Sequence, residues 1–158
     1  MNIDNPFETF EKSAFRLEAL PQYIVENEKH EFSSFKSLGR VPVNPNPEWA
    51  NLVKTNIKSG KSMKRLRLLS DELTLYEQFE LQSYPGIQYG EEIRINARSK
   101  YKDTYLYDFW FFDDEYIARM NYEDDGTFIS FEVKKATKEE KANFRSWLDV
   151  FNRSSLLE

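Results

Sequence analysis

DFWFFDDEYIARMNYEDDGTF, residues 108–128, decides the fold. From Asp108 to Phe112 runs an apolar stretch, which reads as a strand covered on both faces. Asp113-Asp114-Glu115 turns it back, and Tyr116, Ala118, Met120 and Tyr122 form one face of the returning strand. Asp125-Gly126 makes a second hairpin turn, after which Ile129, Phe131 and Val133 continue a third strand. Thr137 then caps a helix with Phe144, Trp147, Leu148 and Phe151 at i, i+3, i+4 and i+7, a stripe suited to covering this meander.

Upstream, Met63 to Leu69 alternates as a strand, with Arg65 and Arg67 on one face and Leu66 and Leu68 on the other. Ser70 caps a helix over Asp71 to Tyr84 that carries Leu75, Tyr76 and Phe79 inward. A turn at Pro85-Gly86 leads to a strand from Glu92 to Ala97. Strand, helix, strand in this order is a right-handed parallel crossover. Nearer the start, Asn5 caps a short helix that begins at Pro6 and ends near Ser13, and Phe15 to Glu18 alternates as a strand. Residues 21–45 read as irregular connection: Phe32 and Phe35 favour a helical turn, but Pro42, Pro45 and Pro47 break the stretch beyond it. Asn46 and Pro47 then start a helix with Trp49, Ala50, Val53 and Ile57 on one face, which Gly60 ends. The expected architecture is α+β: a single domain over 1–158, with a mixed sheet that holds one parallel β-α-β unit and a C-terminal antiparallel meander covered by a C-terminal helix.

The 158 residues are 40% hydrophobic and 31% charged, a balance that excludes disorder and fibrous repeats. Aromatic residues reach 16%, enough to build the core without a ligand. Cysteine is absent, which removes disulfides, thiolate chemistry and Cys-ligated metals, and favours a reducing cytoplasm. The opening MNIDNPFETFEKS has no apolar signal core, and no stretch approaches 18 uninterrupted apolar residues; no membrane association is expected. A net charge of -5 makes nucleic acid an unlikely general partner.

The strongest candidate binding surface is basic. Lys54, Lys58, Lys61, Lys64, Arg65 and Arg67 cluster in sequence, and Arg94, Arg98, Lys100 and Lys102 follow on the neighbouring strand. Arginines at i and i+2 of a strand present parallel guanidinium groups suited to phosphate or carboxylate. The structural alternative is an edge strand kept soluble by charge, or pairing with Glu77, Glu80 and Glu92. Asn121, Glu123, Asp125, Gly126 and Glu132 fit positions 1, 3, 5, 6 and 12 of a calcium loop, yet a plain hairpin explains the same residues. The single histidine, His30, has neither a Cys nor a second His to complete a common catalytic or zinc set, and reads as exposed. No phosphate-loop or dinucleotide fingerprint occurs among the five glycines, so no cofactor is expected.

FRLE (15–18), RLRLLSDELTLYEQFEL (65–81), GEEIRI (90–95), DFWFFDD (108–114) and RMNYEDDGTF (119–128) together resemble the bacterial family designated domain of unknown function 6879. The resemblance implies small bacterial proteins often encoded beside helix-turn-helix regulators, and hence such a regulator or another protein as a partner. A fainter similarity is to the phospholipase-D-like superfamily, whose hallmark is His-x-Lys-x(4)-Asp. With Asp114 placed on the motif's Asp, Tyr107 stands at the His position and Phe109 at the Lys position. These observations favour a non-catalytic cytoplasmic binding or regulatory module. Arg65, Arg67 and Arg94 would contact a small anionic ligand, Tyr76, Trp110 or Tyr122 would pack beside it, and Glu80 and Asp108 would border the site. The alternative is a phosphodiesterase- or nuclease-like enzyme of phospholipase-D-like ancestry, which would gather Glu80, Asp108 and Asp114 in one cleft.

Overall fold

A computed structural model describes residues 1–41 and 46–158. Seven strands make one sheet in the order β6-β5-β4-β1-β2-β3-β7: β1 Ser13–Glu18, β2 Ser62–Leu69, β3 Glu92–Ala97, β4 Phe109–Phe112, β5 Tyr116–Tyr122, β6 Phe128–Lys135 and β7 Ser155–Leu156. β1, β2 and β3 pair in parallel, and the remaining pairings are antiparallel. The expected parallel unit is therefore joined by a second parallel pairing, β1 with β2, and the meander attaches through β4 to β1. Among the described residues the α-helices are α1 Pro6–Thr9, α2 Lys29–Leu38, α3 Pro47–Lys58, α4 Leu75–Ser83 and α5 Lys138–Asn152.

Period-two alternation divides the side chains between two faces. On one, Phe15 and Leu17 of β1, Leu66 and Leu68 of β2, Phe109 and Phe111 of β4 and Ile117 of β5 meet Phe144, Trp147, Val150 and Phe151 of α5. The α5 stripe thus reaches past the meander to the parallel strands. Thr137 and Glu140 start this helix with a reciprocal capping box. On the other face Ala14, Met63, Trp110, Phe112, Ala118 and Val133 pack with Phe10 and with Val53 of α3. There Asn46 accepts the Trp49 N–H at 3.2 Å to cap α3, as its sequence predicts.

Local departures from the sequence reading have physical causes. The first helix stops at Thr9, four residues early, because the carboxylate of Asp113 accepts N–H groups from Glu11, Lys12 and Ser13 and pulls the chain into β1. Within 21–45, Lys29–Leu38 is helical, ended by Gly39 at φ 70°, and Phe35 seals it against Phe79 of α4; the Pro42 and Pro45 readings lie outside the described residues. α4 begins at Leu75 and not Asp71. Thr74 and Glu77 form its capping box, while Ser70 N–H also binds Glu77, and Leu75 faces solvent. The β5–β6 loop is a hairpin turn with Gly126 at φ 94°, where a side chain would overlap the Gln22 carbonyl. Asp125 accepts the Thr127 N–H and hydroxyl there, and strands flank the loop where a calcium loop has helices. β6 is an edge strand, so Ile129 and Phe131 are exposed. No helix among the described residues is long and apolar enough to cross a membrane.

Phe144 stacks on Phe111 with centroids 4.1 Å apart and planes 3° from parallel, at the middle of the α5 contact. Phe144→Ala should cost about 3–5 kcal/mol, read as a lower urea midpoint at unchanged slope.

Candidate functional site

The face opposite α5 changes character towards the carboxyl ends of β1 and β2. Arg16 and Glu18 of β1, Arg65 and Arg67 of β2 and Asp108, just before β4, all turn inward and are buried. Three guanidinium groups inside a sheet need partners, because an unpaired buried charge costs several kcal/mol. Arg67, fully buried, donates through Nε and Nη2 to Glu80 Oε1 of α4 at 2.9 and 2.6 Å and through Nη1 to the Leu68 carbonyl at 3.1 Å. Arg65 donates from Nε to Glu91 Oε1 at 2.7 Å and lies 3.0 Å through Nη1 from Glu18 Oε1. Among the described residues its Nη2 makes no hydrogen bond. Arg16 donates from Nη2 to Asp108 at 3.2 Å and to the Tyr122 hydroxyl at 2.9 Å. Asp108 also receives the Tyr23 hydroxyl and the Ala19 N–H.

Glu91 reaches Arg65 because Gly86 has no side chain; a Cβ there would overlap Glu91 Oε2, the atom that accepts the Trp49 indole N–H at 3.1 Å. Rings enclose the Arg65 guanidinium, whose carbon is 5.3 Å from the centre of Tyr84, 5.4 Å from Trp110 and 5.7 Å from Trp49. These contacts replace part of the lost hydration by attraction to the ring faces.

A cavity of ≈ 230 Å³ opens onto this network. Its polar lining includes Arg16, Arg65, Glu18, Glu28 and Glu80, and its ring lining Phe7, Trp49, Tyr84, Trp110 and Tyr122. The carboxyls are tuned apart. Burial pushes Glu80 up to about 8 despite Arg67, and it also raises Glu28, whose Oε1 receives the Tyr76 hydroxyl at 2.8 Å. Burial works against ionised Glu18 too, but Arg65, Arg16 and Arg67 outweigh it and hold that carboxyl down to about 2. The Tyr84 hydroxyl sits between the two, 3.1 Å from Glu18 Oε1 and 3.4 Å from Glu80 Oε2. A protonated Glu80 can therefore donate to Tyr84 while Tyr84 donates to the ionised Glu18.

Of the residues singled out from sequence, Arg65, Tyr76, Glu80 and Trp110 line this cavity, and Arg67 and Asp108 lie directly behind it. Arg94 does not join them. It sits on the opposite face over Phe151, 5.1 Å from the ring centre, and donates to the Asn152 and Ser154 carbonyls at the end of α5. The edge-strand reading of the arginines also fails, since β2 is interior; the alternative pairing is realised, Arg67 with Glu80 at 2.6 Å and Glu77 at 4.0 Å, and Arg94 with Glu92 at 2.8 Å. The lysines of the basic run disperse, Lys61 over Phe10 and Lys64 over Phe151. Arg16, Glu18, Glu91 and Tyr84 were missed. Arg16 and Glu18 gave a signal, a polar face in period two on a strand that is otherwise apolar; Glu91 gave none, because a loop delivers it.

Positions 107 and 109 carry neither the histidine nor the lysine of the motif. Phe109 is core beneath α5, and Tyr107 stacks on Arg119 at 4.0 Å and accepts from Asn143 at 3.0 Å. Asp114 is exposed in the turn after β4, at the opposite end of that strand from Asp108, so Glu80, Asp108 and Asp114 do not share a cleft. His30 is exposed on α2.

A family model described as domain of unknown function (DUF6879) matches residues 1–155. The chain belongs to that family. No curated protein matches the sequence. The fold of this DUF6879 chain is similar to that of a phospholipase D family member, Nuc from Salmonella typhimurium, with a TM-score of 0.55 at 8% identity, covering 98% of this chain and 87% of that one. At that identity the likeness shows the fold alone.

Glu80 binds its proton more tightly folded than unfolded, so its contribution to stability is full below its ordinary 4.5 and is lost as pH rises to about 8. Glu80→Gln mimics the protonated form. Urea unfolding across this range should show the stability of the wild type falling relative to Glu80→Gln with rising pH; a pH-independent difference would show that folding leaves the Glu80 carboxyl at its ordinary value.

Proposed function

We propose that this chain is a non-catalytic binding module that takes a small oxyanion-bearing molecule into the cavity beside Arg65 and Arg16. One observation carries the reading. Arg65 is fixed by Glu91 and Glu18 on two of its nitrogens and caged by Trp49, Tyr84 and Trp110, at the wall of an open cavity. A guanidinium held this way has already lost its rotamer freedom and much of its water, so a ligand carboxylate or phosphate oxygen gains a charge-assisted hydrogen bond at low ordering cost. The lining sets Arg16 and Arg65 beside Glu18, which the arginines hold ionised, and Glu80, which burial pushes up to about 8, while Asp108 and Glu91 pair with the same two arginines from behind the wall.

The phosphodiesterase-like alternative has weaker support. Tyr107 and Phe109 supply neither the histidine nor the lysine of the motif, and Asp114 is remote from the Glu80–Asp108 side.

Titration with acetate and with inorganic phosphate at constant ionic strength tests the reading. The Trp49 and Trp110 indole N–H signals should shift saturably in NMR spectra of the wild type at millimolar ligand. Arg65→Lys, which keeps a positive charge beside Glu91 and Glu18 but lacks the guanidinium fork, should weaken the response while retaining the folded spectrum. Acetate affinity should fall as pH rises through about 8, since ionisation of Glu80 adds a negative charge to the wall while the charge of acetate stays constant. A linear, unsaturated shift in the wild type would leave the arginines a structural role only.

A further inference from the structure

Anion recognition by Arg65 and Arg16 uses only part of the cavity. Beside Arg65 stands a triangle of rings contributed by three separate elements, Phe7 of α1, Trp49 of α3 and Trp110 of β4. Phe7 lies 5.5 Å from Trp49 and 4.9 Å from Trp110, at 82° and 86°, and the two indoles are 5.6 Å apart. Trp110 is buried, but Phe7 and Trp49 are only half-buried and line the cavity. A half-buried ring wall next to a desolvated guanidinium is apolar surface left against water, and covering it is favourable at roughly 25 cal/mol per Å². The space is limited. At ≈ 230 Å³ it lies below the roughly 300–1,000 Å³ of sites that enclose drug-sized ligands, and suits one ring with a short charged substituent.

We infer that the ligand of this cavity is a small aromatic acid, a single planar ring bearing a carboxylate, whose oxygens meet Arg65 and Arg16 and whose ring packs against Phe7 and Trp49. The inference rests on the anion-binding reading of the same cavity and narrows it. An aliphatic carboxylate would satisfy the guanidinium groups and leave the ring wall wet. A larger aromatic anion such as a nucleotide would exceed the cavity and leave most of its surface in solvent.

Benzoate, acetate and benzamide separate the two contributions when titrated against the whole chain at neutral pH and constant ionic strength, followed by tryptophan fluorescence and by the indole N–H signals. Benzoate should bind about tenfold or more tightly than acetate, the size of effect that ring contacts supply. Benzamide, with the same ring and no charge, should not saturate. Phe7→Leu should lower the benzoate-to-acetate affinity ratio several-fold, and it leaves the Trp49–Glu91 hydrogen bond in place. If acetate binds as well as benzoate, the ring requirement is overturned and the anion reading stands. If benzamide matches benzoate, the anion reading itself is overturned. If none of the three saturates, both fall. The wild-type comparison decides these outcomes even if Phe7→Leu is poorly folded.

Discussion

Three arginines, Arg16, Arg65 and Arg67, point into the molecule from adjacent interior strands, and the rest of one face is organised around keeping them charged there. Burial alone would strip each guanidinium of hydration at a cost of several kcal/mol. Each therefore has a carboxylate within ion-pair distance, drawn from a different part of the chain: Asp108 from the approach to β4, Glu91 from the approach to β3 and Glu80 from α4. Glu18, on β1 itself, lies between Arg16 and Arg65. This requirement fixes where α4 must lie, why Gly86 has no side chain, and why Tyr23 turns in to bind Asp108.

Such a network is an expensive way to fill a core. Apolar replacements of buried ion pairs are often neutral or stabilising, whereas removing one partner is strongly destabilising. The compensating stability comes from the opposite face, where α5 lays Phe144, Trp147, Val150 and Phe151 across four strands. Arg94 closes that arrangement, because its side chain satisfies carbonyls at the end of α5 that the helix leaves without partners. The two faces thus differ. The α5 face holds an apolar core across four strands, and the other combines an apolar cluster with a charged network around a cavity.

Strong periodicity made most of the sheet legible in the sequence. The run at 108–112, the alternation at 63–69 and 92–97 and the stripe at 144–151 each have a length and period that admit few alternatives. The helix at 29–38 was hidden because it has one buried residue, Phe35, and gains its stability by docking on α4, a tertiary contact that local pattern does not contain. For the site, alternation placed Arg65 and Arg67 correctly on a shared face but could not say whether that face looked out or in. That depends on strand order, and sequence neighbours such as Lys61 and Lys64 made an exposed basic strand the simpler reading. Arg94 was grouped with them for the same reason. Its register partner is Leu66, not Arg65 or Arg67, and a shift of one residue sends a side chain to the other face.

That same alternation bears on the likeness in fold to a phospholipase D family member. In the motif placement, the histidine and lysine positions fall on Tyr107, just before β4, and Phe109 of β4, both of which pack on the α5 side of the sheet. In this chain that face is the packed one: Phe109 is covered by α5, and Tyr107 lies at its margin beside Arg119 and Asn143. Asp108 and Trp110, one residue out of phase, point to the opposite face, where Arg16, Arg65 and Glu18 surround the cavity. Histidine and lysine introduced at 107 and 109 would consequently lie under or beside α5 and would not reach the cavity. The fold is shared, yet the polar site of this chain lies on the other side of the sheet from the motif positions. Its chemistry belongs to the arginines, carboxyls and rings gathered there, not to the fold.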